Sequence, residues 1–431
     1  MDISKAEDAI FTKRRLSLWG GGFLAANLGA LAIRSFAGKW LFDKAGQPAF
    51  IDFIQWWVGG RFTLIRNAAG AYDYSTFSAA QAFATKAPPP VAYFHWVYPP
   101  TMLLLVAPIA RLPYVPAFVV WVAVTLCVYV AAVYAILPEL LTVVLALLPL
   151  PVVKNVFDGQ AAFLTAGLLG LSMVFSERRP YLSGVFLGLL TYKPQFVLFF
   201  PLALVLTRQW RVILSATATA AFFAGAAMQV FGSDAWRLFL RSMHDHDSAS
   251  FLPVGVQGLN QTVLGLMHEL GAGLAASWIA HLAVALLATA LACQIWMRSS
   301  ASHSLKAAAF SIGVLLATPY MLLYDLTALA VPVTFLVSDA VEGGFLRGER
   351  LILLGCFLAL FLGYNIAIGP IVLLALMGLV VRRSRMRLSR AWPEPSALPE
   401  APGGRSSGLR ASVMKPPSCS TFLTLRYPIS S

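Results

Sequence analysis

The chain has 431 residues, of which 58% are hydrophobic and only 12% are charged. With a mean hydropathy of +0.73, this composition excludes a soluble globular protein and is typical of a chain that crosses a membrane many times. The formal net charge of +13 falls largely beside apolar segments and in the C-terminal tail, so we expect no nucleic acid partner.

The first apolar segment, residues 16–37, follows the basic run Lys13-Arg14-Arg15. It exceeds the usual core of a cleavable signal peptide and lacks a clean small-residue cleavage site. We therefore expect a transmembrane helix whose N-terminus is in the cytoplasm. Residues 38–97 would then form a large first external loop.

Further apolar segments follow, separated by polar breaks. They lie at roughly 98–136, 137–153, 161–175, 181–207, 212–230, 274–297, 305–318, 321–338, 351–366 and 368–381. Residues 181–207 allow two interpretations. If the basic residues on both sides are cytoplasmic, the segment is a hairpin of two helices too short to cross; otherwise it is one long helix kinked at Pro194.

A second external loop is predicted at residues 231–258. It contains His244-Asp245-His246-Asp247, which we interpret as exposed loop, because four consecutive residues cannot all converge on one metal ion.

These segments predict an all-α polytopic membrane protein with roughly 10–13 transmembrane or half-membrane helices in one domain, residues 1–381. Residues 382–431 contain nine Lys or Arg against two Glu and are rich in Pro and Ser. This composition predicts a disordered cytoplasmic tail.

Asp52 is the leading candidate for a catalytic residue. If the residues around it form an interfacial helix, Asp52, Gln55, Trp56 and Gly59 share one face. A carboxylate beside an indole at a membrane surface is partly desolvated, which raises its pKa and makes it a better base. The alternative is that Asp52 caps the start of that helix.

Two cations are candidates for binding an anionic group. Lys193 lies in the middle of 27 residues that are otherwise free of charge, so it needs a polar cavity or an anion. Arg61 follows Gly59-Gly60 and either binds a phosphate through paired N–H donors or reaches towards lipid headgroups.

An ordered set of short motifs suggests a known family. The set consists of Asp52-Phe53, Tyr72-Asp73, Tyr98-Pro99-Pro100, Gly159-Gln160, Lys193-Pro194, Asn260-Gln261-Thr262, Pro319-Tyr320 and Tyr324-Asp325. In this order the motifs resemble glycosyltransferase family 87, bacterial enzymes with the GT-C membrane fold that use polyprenyl-phosphate sugars.

The resemblance implies transfer of a hexose, often mannose, from a polyprenyl-phosphate donor to a lipid or glycan acceptor on the external face of the cytoplasmic membrane, with inversion. It implies that Asp52 is the general base. The further substrate-binding candidates are Gln55, Trp56, Tyr98, Gln160, Asn260, Gln261, Tyr320, Tyr324 and Asp325.

Lys193 and Arg61 would stabilise the departing phosphate. A glycosyl phosphate already has a good leaving group, so one base is sufficient where glycoside hydrolysis needs two carboxylates. We expect no cofactor and no metal. The alternative function is a multi-span lipid or sugar transporter or flippase, although the sequence shows no internal repeat of the kind common in transporters.

Overall fold

The structure is a computed structural model that describes residues 3–42, 46–49, 51–86, 94–245 and 260–391. Within these residues, the regular secondary structure is helical throughout, with eighteen α-helices joined by short loops and 3-10 turns. The predicted all-α polytopic fold is therefore confirmed.

Nine of the helices lie in the N-terminal half of the described chain. They are α1 (Ile3–Ile10), α2 (Lys13–Phe36), α3 (Phe53–Leu64), α4 (Tyr74–Thr85), α5 (Pro100–Ile109), α6 (Tyr114–Ile136), α7 (Leu140–Ala146), α8 (Leu150–Asp158) and α9 (Ala162–Phe175).

The C-terminal half has the same mixture of short and long helices. They are α10 (Pro180–Leu189), α11 (Phe200–Leu206), α12 (Trp210–Asp245), α13 (Val263–Glu269), α14 (Leu274–Trp296), α15 (His303–Ala317), α16 (Ala330–Gly343), α17 (Glu349–Ala359) and α18 (Gly369–Ala391). A 3-10 turn, Leu323–Leu329, precedes α16.

The described residues contain five helical segments long and apolar enough to cross a membrane, one bent pair that qualifies as a broken span, and five shorter apolar segments. These eleven elements agree with the predicted ten to thirteen. The bent pair is α7 with α8, which meet at 70°. The apolar segment at 137–153 is therefore two short helices, because Pro149 and Pro151 interrupt regular helical hydrogen bonding between them.

One end of the molecule, which we call the basic end, is held together by ion pairs between helix termini. Lys13 at the start of α2 pairs with Glu139 before α7, at 3.1 Å. Glu177 after α9 pairs with Lys306 at the start of α15, at 3.0 Å. Arg383 of α18 pairs with Asp339 of α16 at 2.8 Å. Because these helices start or finish here, their other ends lie at the opposite side, which we call the site end.

Residues 181–207 form a hairpin of two short helices, α10 and α11. The glycines of α10 set its direction relative to α12: a Cβ on Gly184 would lie 2.5 Å from the Val212 carbonyl oxygen, and one on Gly188 would lie 2.6 Å from that of Ala216. The two helices therefore run parallel in close contact. The basic residues that precede α10 and α12 consequently lie at the same end, which favours the hairpin over the single kinked helix.

The predicted start of the second loop, at residue 231, and the predicted start of the tail, at residue 382, both lie within helices. The second loop starts as helix, because α12 continues to Asp245 through a kink at Gly232, which has φ 78°. His246 and Asp247 lie outside the described residues. Helix α18 continues beyond residue 381 to Ala391, and the remainder of the predicted tail lies outside the described residues.

Candidate active site

Asp52 lies at the first turn of α3 and faces the interior of the site end. Its backbone is already helical, with φ −54° and ψ −28°, and among the described residues its carboxylate makes no capping hydrogen bond. The carboxylate instead accepts a 2.7 Å hydrogen bond from the Gln160 side-chain amide. This contact joins residues 108 positions apart, so Asp52 occupies the N-cap position of α3 while its side chain bonds to Gln160 and not to the helix.

Gln160 is placed by a glycine that no other residue could replace without strain. Gly159 ends α8 in the left-handed conformation, with φ 67°, and a Cβ there would lie 2.7 Å from the Phe118 ring and 2.8 Å from Phe53. The Trp121 indole donates a 3.0 Å hydrogen bond to the Gly159 carbonyl. These contacts turn the chain so that Gln160 reaches Asp52.

The surroundings of Asp52 tune its proton affinity. Burial, and after it the charge of Asp158, raise the pKa of Asp52 to about 7 from an ordinary value of 3.8. The hydrogen bond from Gln160 and the charge of Lys154 oppose that rise. A carboxylate with a pKa near 7 suits a general base at neutral pH.

Lys154 and Asp158 form an ion pair near Asp52 that the sequence alone does not assign to the site. The Lys154 ammonium lies 2.8 Å and 2.7 Å from the two carboxylate oxygens of Asp158. The Asp158 carboxylate pairs with Lys154, and it is the Asn155 side-chain oxygen that accepts the Ala162 N–H at the start of α9, at 3.1 Å. The spacing of four residues on one helix face was the available signal.

Lys193 occupies the break between α10 and α11, at the tip of the hairpin. Its ammonium pairs with Asp325 at 2.6 Å, and the two side chains are only 2% and 3% exposed. The second oxygen of Asp325 accepts the Leu322 N–H at 3.1 Å. The predicted polar surroundings of Lys193 are therefore present, and the anion beside it is a carboxylate of the same chain.

Aromatic side chains connect the two charged regions. The Trp56 ring packs on Tyr98, with 4.4 Å between ring centroids. The Tyr98 and Tyr324 hydroxyls both interact electrostatically with Asp52 and Asp325, and so does Tyr320. The structure thus brings Trp56, Tyr98 and the predicted tyrosines together around the two carboxylates.

Two buried polar atoms beside Asp52 have no hydrogen-bond partner within the described chain. They are the Trp56 indole nitrogen and the Gln160 side-chain oxygen. Buried polar groups are almost always paired, and an exception next to a carboxylate is typical of a site completed by a ligand or by water. Gln55, the neighbour of Trp56, is also buried.

Comparison with known proteins gives one match, to the model of glycosyltransferase family 87, over residues 96–324. This range is more than half of the chain. The chain belongs to glycosyltransferase family 87. No curated protein and no solved structure matches it.

The match to family 87 covers only part of the site. Tyr98, Gln160 and Lys193 lie inside the matched range, together with Lys154 and Asp158. Asp52, Arg61 and the final residue of the charged pair, Asp325, lie outside it. Membership of family 87 makes this protein a glycosyltransferase, and the role of Asp52 depends on the geometry described above.

Arg61 is exposed and lies apart from the hydrogen bonds that join Asp52 to Gln160. Its guanidinium packs over the Trp57 ring, 4.7 Å from the centroid, and donates a 3.5 Å hydrogen bond to the Ala110 carbonyl. Both contacts are with residues outside the group around Asp52. Its phosphate-binding role stays a prediction.

Asn260 and Gln261 hold backbone segments around the site. The Asn260 amide donates to the Pro319 carbonyl at 3.2 Å, and its oxygen accepts the Met321 N–H at 3.3 Å. Gln261 donates to the Gly363 carbonyl at 2.9 Å and accepts from the Gly369 N–H at 3.0 Å. We interpret both as positioning residues for the stretch that carries Tyr320, and their contact with substrate stays a prediction.

A small apolar groove, with a cavity volume of about 70 Å³, lies beside the hairpin, next to Tyr192. Helices α5, α9, α10 and α12 form its walls through Leu105, Leu168, Leu189 and Phe223. Tyr192 directly precedes Lys193, so the groove approaches the charged part of the site. In the described residues, no group of three or more His, Cys, Asp or Glu is arranged to hold a metal.

Proposed function

We propose that this family 87 enzyme transfers a hexosyl residue, with mannose as one candidate, from a polyprenyl-phosphate donor to a lipid or glycan acceptor, with inversion. The observation that carries the proposal is the partly buried Asp52 carboxylate, held by Gln160 and raised in pKa to about 7. Asp52 accepts the proton of the acceptor hydroxyl as the oxygen attacks the anomeric carbon. The bond from that carbon to the donor phosphate breaks, and the phosphate leaves as an anion.

The shape of the site end supports a lipid-linked donor. The groove beside Tyr192 is apolar and borders the outward-facing helix α12, so it offers an apolar surface to part of an isoprenoid chain that approaches from the side. The unpaired polar atoms of Trp56 and Gln160 suit sugar hydroxyls. Carbohydrate commonly packs on aromatic rings such as Trp56 and Tyr98 because both surfaces are apolar.

The distribution of charge supports an active site on the external face of the cytoplasmic membrane. Arg14, Arg15, Arg179 and Arg382 flank the helix termini of the basic end, as expected of the cytoplasmic side. Asp52 follows the opposite end of α2. A 24-residue helix is about 36 Å long, enough to cross the hydrocarbon layer.

Substitution of Asp52 tests this function directly. Asp52→Asn keeps the size and the hydrogen-bond contact of the side chain but removes the base, so we expect at least a hundredfold loss of transfer from a radiolabelled polyprenyl-phosphate hexose. Expression and membrane insertion should be unchanged. The exposed residue Asp73, which caps α4, provides the control Asp73→Asn, which should retain activity.

Transfer at the wild-type rate by Asp52→Asn would remove Asp52 as the base. Absence of transfer by the wild type from each of a panel of donor sugars would favour a transporter, the alternative function. Uptake or flipping of a labelled prenyl-phosphate sugar into proteoliposomes would then be the deciding measurement.

A further inference from the structure

Among the described residues, three cations discussed above are candidates to receive the departing phosphate, and they differ in how far their charge is available. Lys193 is enclosed with Asp325 at 2.6 Å, with 2% exposure. Arg61 is exposed, but it contacts Trp57 and Ala110. Lys154 is bound to a carboxylate and is also 27% exposed.

The exposure of Lys154 follows from the geometry of its ion pair. Asp158 is only 5% exposed, so the pair combines a buried carboxylate with a partly exposed lysine side chain. An ammonium has three N–H donors, and the two oxygens of Asp158 engage at most two of them. The remaining donor is available to another oxygen atom.

Lys154 also lies within electrostatic reach of the base. Its charge lowers the pKa of Asp52, although the Asp52 hydrogen bond is made to Gln160 and the Lys154 hydrogen bond to Asp158. The two charges therefore interact without sharing a hydrogen bond. In an inverting displacement the base and the leaving group are on opposite faces of the anomeric carbon, so the base and the phosphate-binding cation need no direct contact.

The neighbouring turn of α8 explains why Lys154 keeps this position. Gly159 ends α8 in the left-handed conformation, and the Asn155 side chain ties α8 to the Ala162 N–H at the start of α9. Lys154 is thus carried on a helix whose end also positions Gln160. The cation and the hydrogen-bond partner of the base are consequently placed by one structural unit.

We infer that Lys154, rather than Lys193, is the cation that binds the phosphate of the donor and of the departing polyprenyl phosphate. This inference rests on the proposed function, because it assumes a phosphate-bearing donor. Lys193 then acts with Asp325 as a buried pair that fixes the hairpin tip and the Tyr324 wall. In the transfer step Lys154 keeps its proton and stabilises the negative charge released on the phosphate oxygen when the glycosidic bond breaks.

The test compares binding of polyprenyl monophosphate and of the uncharged polyprenol by the purified full chain in detergent. The wild type should bind the phosphate at least tenfold more tightly than the alcohol. Lys154→Gln should lose this preference, and Lys154→Arg should keep most of it. Lys306→Gln, which removes an ammonium paired with Glu177 at the basic end, is the matched control and should bind like the wild type.

A double variant separates phosphate binding from simple neutralisation of Asp158. Lys154→Gln with Asp158→Asn leaves no uncompensated carboxylate, so a merely structural lysine predicts recovery of phosphate preference and transfer. Our inference predicts that both stay at least tenfold reduced. Recovery in the double variant, or a wild-type preference in Lys154→Gln, would overturn the assignment.

The outcome also distinguishes this inference from the proposed function. If the wild type transfers sugar and prefers the phosphate while Lys154→Gln is unchanged, only the assignment of Lys154 fails. If the wild type shows no preference for polyprenyl phosphate over polyprenol, the proposed donor class fails and the assignment fails with it.

Discussion

At the scale of single residues, the proposed chemistry depends on the Asp52 carboxylate, whose ionisation is set by its neighbours. Asp52 is desolvated by the fold, and Gln160 and Lys154 partly offset that effect. A base works only when deprotonated, so activity should fall as the pH drops through the pKa of Asp52. The site therefore makes a definite prediction about pH dependence.

We expect the wild-type kcat/KM for transfer to decrease below about pH 7, the pKa of Asp52. Gln160→Leu removes a hydrogen bond that favours the ionised carboxylate, so the acid limb should move to higher pH. Asp158→Asn removes a negative charge that disfavours ionisation, so the limb should move to lower pH. The measurement is kcat/KM from pH 5 to 9 in all three proteins, and shifts of the same sign in both variants would contradict the assignment.

Lys193 and Asp325 make a second prediction, which concerns stability. Lys193→Met leaves a buried carboxylate without its partner and should destabilise the fold by about 3–5 kcal/mol. Lys193→Met with Asp325→Leu removes both charges and should recover most of that loss. Thermal unfolding in detergent measures the effect, and equal stability of the single variant and the wild type would show that the pair is unimportant for the fold.

The sequence predicts Asp52 as a site residue, because a carboxylate beside apolar and aromatic neighbours needs a reason, and its role as a base stays a prediction. It did not find the partner of Lys193, since 132 positions separate Lys193 from Asp325 and no local pattern encodes such a contact. Lys154 was missed because a charged pair on a short helix has the same local pattern as an ordinary solvated helix face.

At the scale of secondary structure elements, close packing of α8 against the first loop determines the position of Gln160. Gly159 satisfies two requirements together, a positive φ and the absence of a side chain against Phe118 and Phe53. Gly271 has a similar φ of 85°, but nothing lies within 4 Å of its Cβ position. A comparison of substitutions at these two glycines therefore distinguishes the effect of backbone strain from that of steric overlap.

We expect Gly159→Ala to reduce transfer at least tenfold and to destabilise the protein, because the new methyl group displaces Gln160 from Asp52. Gly271→Ala pays only the left-handed backbone strain, roughly 1–2 kcal/mol, and should keep its activity. Transfer rates and melting temperatures of both variants provide the comparison. Equal losses in the two would indicate that strain alone matters at residue 159.

The element boundaries show where sequence patterns are informative. Long apolar helices such as α2, α6 and α14 were predicted, because their composition differs sharply from the flanking polar residues. The sequence does not predict the helical start of the second loop, because residues 231–245 are polar enough to suggest an aqueous loop and α12 bends at Gly232. The sequence does not decide between a hairpin and one kinked helix for residues 181–207, because only the packing of α10 on α12 reveals its direction.

At the scale of the whole molecule, long helices enclose a group of shorter ones around the site. Helices α9, α10 and α15 have 14, 10 and 15 residues, so each extends only about 15–22 Å from the basic end. That is less than the hydrocarbon thickness of about 30 Å. We therefore expect the site ends of these helices to lie within the hydrocarbon layer, below the membrane surface.

The orientation of the whole chain can be tested with single cysteines in a cysteine-free background. Ala79→Cys on α4 should react with a membrane-impermeant maleimide in intact cells, because it is exposed at the site end. Arg179→Cys and Gln209→Cys should react only after permeabilisation, since both lie at the basic end. Labelling of Arg179→Cys and Gln209→Cys from opposite sides of the membrane would contradict the hairpin and favour the single kinked helix.

The hairpin of α10 and α11 also has a consequence for how the chain enters the bilayer. Neither helix is long enough to be recognised as a stop or start signal by the insertion machinery, and the lysine at the tip opposes partitioning into lipid. Its glycine-lined face needs α12, which is synthesised afterwards. Biogenesis should therefore hold these two helices in a protected state until the ribosome has made α12, and the ion pair with Asp325 can close only later still.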